Sequence, residues 1–95
     1  PWFEEASAYA RAHPDADFGV HLTHTSEMAG CRWRGLAGRD ETPGLVDPTG
    51  YLWARAEQVM ARAAPAEVEL EARRQIEAAR AAGVDVTHLD SHVGV

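Results

Sequence analysis

The stretch from Pro65 to Gly83 constrains this chain most, because it reads as one strong helix that hands directly to a strand. Proline is tolerated in the first helical turn. Glu67, Glu69 and Glu71 put negative charge near the N-terminus, where the macrodipole favours it. Val68, Ala72, Ile76 and Ala79 recur at spacings of four, four and three, which predicts a narrow buried stripe on a helix over 65–82. Glu69 and Arg73 add an i, i+4 pair worth a few tenths of a kcal/mol. The charged remainder of this helix reads as a solvated face. Gly83 supplies the left-handed position that closes the helix, and Val84-Asp85-Val86 leads into a strand ending near His92.

The rest of the chain fits around that unit. Residues 2–12 predict a short helix, with Phe3, Ala6 and Ala10 at helical spacing, and His13-Pro14 ends it. Residues 17–24 predict a strand: Phe18, Val20 and Leu22 share one parity, while Gly19, His21 and Thr23 share the other. Residues 25–50 are loop-rich, and Asp47-Pro48-Thr49-Gly50 is a turn by its chemistry. Residues 51–63 return to helical character, with Leu52, Ala56, Val59, Met60 and Ala63 close to one face. Strands alternating with helices imply an α/β fold with parallel pairing and crossover helices. In such folds, sites form at the carboxyl ends of strands.

At 95 residues the chain can form one small domain. The formal net charge is −6 and all nine basic residues are arginine, which argues against nucleic acid and against an anionic membrane surface as partners. A single cysteine, Cys31, excludes an intrachain disulfide and is expected to be buried or half-buried in its loop. No apolar run approaches the length of a membrane span, and a cytoplasmic location is expected. Residue 1 is Pro, and the chain stops just after its densest polar cluster, so residues 1–95 are expected to be a single partial domain of a longer protein.

Two histidine clusters mark the candidate site: His21-Leu22-Thr23-His24 at the end of the first strand, and His88-Leu89-Asp90-Ser91-His92 at the end of the second. Parallel pairing would bring them together. Two imidazoles and a carboxylate suit Zn2+ or another first-row divalent ion. A lone strand histidine is more often a hydrogen-bonded structural residue, and His24 and His88 are expected to be structural. Asp90 reads either as an acceptor that orients an imidazole or as an acid or base, against the plain alternative of a loop cap. Trp33, between Arg32 and Arg34, reads as a stacking surface for a sugar ring or, equally, as an aromatic closing a loop over the core. Ser26 and Ser91 lie near histidines, which is no evidence for a triad.

Several motifs together resemble one family. Gly19-Val20-His21-Leu22-Thr23, Thr25-Ser26-Glu27 with Arg32-Trp33, Leu45-Val46-Asp47 with Gly50-Tyr51-Leu52-Trp53, and Thr87-His88-Leu89-Asp90-Ser91-His92 resemble, in order, motifs of the YdjC-like, ChbG/HpnK-type carbohydrate deacetylases. The resemblance implies part of an irregular (β/α) barrel related to polysaccharide deacetylases. It implies hydrolysis of an N-acetyl group on an amino sugar or chitooligosaccharide, dependent on a divalent metal ion such as Mg2+ or Zn2+. His21 and His92 match the family's two metal-binding histidines. The third ligand, an Asp, would lie upstream of Pro1, so these residues alone are expected to be inactive. Asp90 is the candidate catalytic carboxylate, and Trp33 and Arg34 the candidate substrate contacts. Two other readings stay open: a non-catalytic sugar-binding or structural piece of the same fold, and another metal-dependent hydrolase such as a phosphoesterase. A homodimer is also left open.

Overall fold

The computed structural model describes residues 2–94. Helix α1 spans Phe3–Ala12, strand β1 Phe18–Leu22, helix α2 Ala56–Arg62, helix α3 Pro65–Ala81 and strand β2 Val86–Ser91, with 3-10 turns at Pro43–Leu45 and His92–Gly94. The two strands pair in parallel, as the alternation of strand and helix requires for an α/β fold. The register couples Phe18 to Val86, then Gly19 to His88 and His21 to Asp90, so Thr87 is an extra residue on β2. Gly19 allows this pairing, since a Cβ there would collide with the ring of His88 and its backbone carbonyl. Because the strands are parallel, both carboxyl ends lie on one side.

Helix α3 forms where its charge pattern and caps place it. At its start the Glu67 carboxylate reaches back to the Ala64 N–H at 2.7 Å and takes a second bond from the Gly44 N–H at 2.9 Å. At its end Gly83 adopts φ +87°, and the Val84 N–H returns to the Ala79 carbonyl at 3.1 Å. The expected Glu69–Arg73 pair forms at 3.0 Å on the surface. The buried stripe differs from the expected one. Val68, Glu71, Gln75 and Ala79 face the protein, and Ala72 and Ile76 line an outer groove with Glu69, Arg73 and Arg80. An acidic residue can take the inward place because backbone N–H groups meet it there.

The main apolar core is the loop-rich stretch itself. Leu45, Val46, Leu52 and Val59 are buried together, with Trp33, Trp53, Ala63 and Val68 packed against them. The turn at 47–50 folds the chain so that Val46 and Leu52 form an antiparallel bridge. Asp47 Oδ1 accepts the Thr49 N–H at 2.8 Å, the Thr49 hydroxyl at 2.5 Å and the Tyr51 N–H at 3.2 Å, and Gly50 takes φ +89°. Leu52 is therefore outside any helix. Helix α2 starts four residues later, with Gln58 reaching back to the Arg55 N–H at 3.0 Å, and Met60 on its outer side is 80% exposed rather than part of a buried face.

Other expectations also change. The apolar residues of α1 are not buried: Phe3 and Tyr9 are exposed, and Ser7 is its one buried residue. Arg11 ties this helix to the end of α3 through the Ala82 carbonyl at 2.5 Å, leaving an apolar groove of about 490 Å3 between α1, β1 and α3. Cys31 is exposed, because its loop turns outward while Arg32 and Trp33 turn in. No helix among the described residues is long and apolar enough to cross a membrane.

Candidate active site

The parallel register places the side chains of His21 and Asp90 side by side, and His21 Nδ1 meets Asp90 Oδ1 at 2.6 Å. His92 follows β2 directly, in the 3-10 turn, and its ring stands edge-on to that of His21 with centroids 5.2 Å apart. His21 Nε2 and His92 Nδ1 face each other at 3.1 Å, across 71 residues of sequence. His92 Nε2 meets Glu27 Oε1 at 2.7 Å. Glu27, which no reading of the sequence had given a chemical role, therefore belongs to the site. Its carboxyl is held below the usual carboxylate range, first by its own backbone N–H and then by the His92 ring.

A neutral imidazole carries one N–H. If each ring donates that N–H to its carboxylate, His21 through Nδ1 and His92 through Nε2, the two nitrogens that face each other both present lone pairs. Two lone pairs 3.1 Å apart repel unless a proton or a cation sits between them. Two imidazole donors on one tetrahedral Zn2+, each about 2.0–2.1 Å from the ion, stand about 3.3 Å apart. The observed separation fits that requirement. The carboxylate on the far nitrogen of each ring is also what metal-binding histidines generally have. Among the described residues no group of three or more His, Cys, Asp or Glu side chains is arranged to hold an ion.

A cleft of about 580 Å3 opens in front of the rings, lined by His21, Thr23, Trp33, Arg34, Gln75 and His92 among others. Trp33 packs against the core and also lines the cleft. Arg34 is exposed, lies 4.5 Å over the Tyr51 ring and donates to the Thr49 carbonyl at 3.3 Å. Arg32 points the other way: its guanidinium bonds Ser26 Oγ, Asp47 Oδ2 and the Leu52 carbonyl, at 3.2, 3.3 and 2.6 Å. Both guanidiniums thus flank Tyr51, not Trp33. Ser26 is a buried structural hub whose Oγ also accepts the Trp33 N–H at 2.9 Å.

His24 and His88 make contacts other than the His21–His92 pair. His24 is buried, with Nε2 3.1 Å from the Val68 carbonyl. His88 packs on Gly19, and its Nδ1 lies 3.0 Å from the Thr87 hydroxyl, which also bonds Asp17. Glu71 and Gln75 line the cleft and were not foreseen. Their signal was present as the alternative stripe Val68, Glu71, Gln75, Ala79, spaced three, four and four, which is an equally regular helical face.

Comparison with known proteins finds relatives over nearly the whole chain. A carbohydrate deacetylase of Thermus thermophilus is 40% identical over 87 residues, which are 92% of this chain and 31% of that protein. One from Brevibacillus brevis is 34% identical over 90 residues, 95% of this chain and 33% of its own length. A crystal structure from Enterococcus faecalis, described as a cellobiose-phosphate cleavage protein, superimposes with a TM-score of 0.82 at 34% identity, covering all of this chain and 35% of that one. The chain thus spans about a third of the length of the curated relatives it matches. The sequence model of the YdjC-like protein family matches residues 1–95 from end to end, and the chain belongs to that family.

Proposed function

We propose that the protein to which this chain belongs is a metal-dependent hydrolase that removes an N-acetyl group from an amino sugar or chitooligosaccharide, built on a (β/α) barrel of which these residues are part. The relatives named as carbohydrate deacetylases support the chemistry. The observation that carries the metal reading is the pair of imidazole nitrogens facing each other at 3.1 Å, each ring backed by a carboxylate. His21 Nε2 and His92 Nδ1 would hold the ion, with a third donor, an Asp by the resemblance, from outside these residues. Mg2+ and Zn2+ are the candidates. When bound, the ion supplies Lewis acidity toward the acetamide carbonyl and lowers the pKa of a water.

The chain's own residues do the rest. Asp90 Oδ1 holds the Nδ1 proton of His21 and Glu27 Oε1 holds the Nε2 proton of His92, so each ring keeps its lone pair turned to the other. Asp90, two-thirds exposed beside the His21 ring, is the candidate carboxylate to take up a proton. Trp33 offers an apolar wall for a sugar face, and Arg34 offers donors to its hydroxyls.

The test uses the complete protein. Zn2+ and Mg2+ titration of the parent, His21→Ala and His92→Ala should show binding in the parent and its loss in both variants. Acetate release from chitooligosaccharides, measured beside phosphate release from model esters, should show the first and not the second. Equal metal affinity in all three proteins would end the site assignment. Phosphate release alone would favour a phosphoesterase.

A further inference from the structure

Glu71 and Gln75 stand one turn apart on the inner face of α3, on the floor of the cleft that holds His21 and His92. Gln75 Oε1 accepts the Thr23 N–H at 2.9 Å, and its Nε2 donates to the Thr23 carbonyl at 2.6 Å. The side-chain amide thus pairs with Thr23 as a neighbouring strand would, continuing β1 by one residue. The same Nε2 donates to Glu71 Oε1 at 2.8 Å. A carboxylate and a carbonyl can only accept, so the amide has one orientation.

Glu71 is 1% exposed. Burying a carboxylate is costly unless donors surround it. The nearby cations are engaged elsewhere, Arg73 with Glu69 and Arg74 with Glu41. What meets Glu71, besides Gln75, is the Leu36 N–H at 2.8 Å and the Ala37 N–H at 2.7 Å. Gly35 lets the loop come this close, since a Cβ there would lie 2.9 Å from Glu71 Oε2. An apolar residue at position 71 would fill the space without the desolvation cost. It would leave two consecutive backbone N–H groups, the Ala37 one buried, without these acceptors and Gln75 without its Glu71 contact.

The two anchored segments are the two walls of the cleft. Thr23 lies two residues after His21, and Leu36 two residues after Arg34. We propose that Glu71 and Gln75 are positioning residues, a latch on α3 that holds the His21-bearing end of β1 and the Trp33–Arg34 segment at a fixed separation across the active-site cleft. The role of the latch in metal binding and sugar binding rests on the function proposed above; its mechanical action does not.

The experiment compares the complete parent protein with Gln75→Leu, which keeps the bulk of the side chain and removes all three hydrogen bonds. In the folded variant, amide exchange at Leu22 and Thr23 should speed up at least tenfold while α2 stays protected. Zn2+ affinity should fall about tenfold, and the KM for the amino sugar should rise together with a fall in kcat. Should Gln75→Leu fail to fold, Glu71→Gln serves, because it keeps one acceptor for the loop and loses the second; Leu36 or Ala37 should then exchange faster and KM should rise. Should the parent bind neither Zn2+ nor Mg2+, the metal reading fails and the exchange rates alone decide the latch. A folded variant whose exchange at Thr23, Leu36 and Ala37 matches the parent overturns it, and so does one with parental Zn2+ affinity and KM where the parent is active.

Discussion

The Glu27 carboxylate and the His92 ring, 65 residues apart in sequence, meet at 2.7 Å. A His92 ring that donates its Nε2–H to this carboxylate turns an Nδ1 lone pair toward His21. Losing a carboxylate behind a metal-binding histidine generally weakens metal binding by about 10–100-fold. We expect Glu27→Ala in the complete protein to lose Zn2+ affinity in that range, and Glu27→Gln, which keeps a neutral acceptor, to lose less. Calorimetric titration measures both. Parental affinity in Glu27→Ala would remove Glu27 from the site.

The close approach of β1 and β2 makes Gly19 a second sensitive position. A Cβ there would collide with the His88 ring and with backbone, which cannot swing aside as a flexible side chain can. Gly19→Ala should force the strands apart or displace His88, costing about 1–3 kcal/mol as overpacking does. The same shift would loosen the His21–Asp90 contact, two residues along the register. Chemical denaturation reads the first effect, and the imidazole 15N spectrum of His21 reads the second. A variant with parental stability would show that the pairing has room to spare.

Those parts of the fold and site governed by local rules were legible in the sequence. Alternation gave β1 its correct inward parity, the φ > 0 requirement marked Gly83, and Asp47-Pro48-Thr49-Gly50 announced its turn. Parallel pairing then brought His21 and His92 together. What was not legible depends on distant partners. Glu71 reads as one more solvated acid until the Leu36 and Ala37 N–H groups, 35 and 34 residues away, are seen to meet it. Glu27 sits in a loop without periodicity, and its role exists only through His92. Leu52 fits a helical face by spacing, yet the turn before it folds it back onto Val46; here tertiary pairing overrode propensity.

The buried cluster makes the loop-rich stretch the part of the chain most sensitive to lost volume. Leu52 is 1% exposed, against Leu45, Val59 and the two tryptophans. Leu52→Ala should therefore cost about 2–5 kcal/mol, the range for a buried leucine whose surroundings relax only in part. Met60→Ala, at an 80% exposed position on α2, should stay within about 0.5 kcal/mol. Urea midpoints of the two variants, measured side by side, test the assignment of the core. Equal effects would mean that the apolar centre lies elsewhere.

The turn also predicts how the fold responds to acid. The Thr49 hydroxyl, then the N–H groups of Thr49 and Tyr51, and the Arg32 guanidinium hold the Asp47 carboxyl below its ordinary value of 3.8, with burial opposing them. Between that ordinary value and the lower folded one, the unfolded chain takes up a proton at this position and the folded chain does not. The stabilisation from Asp47 is therefore fully present above the unfolded pKa and is lost as pH falls through the folded pKa. Asp47→Asn keeps an acceptor for Thr49 but cannot titrate. Between about pH 5 and about pH 2, the parent should lose more stability than the variant, while near neutrality the variant should be the less stable of the two. Denaturation midpoints followed across that range give the comparison, and subtracting the variant's curve removes the contribution of Glu27, which is lowered in the same direction. Parallel curves would mean that the 47–50 turn is held by its backbone bonds alone.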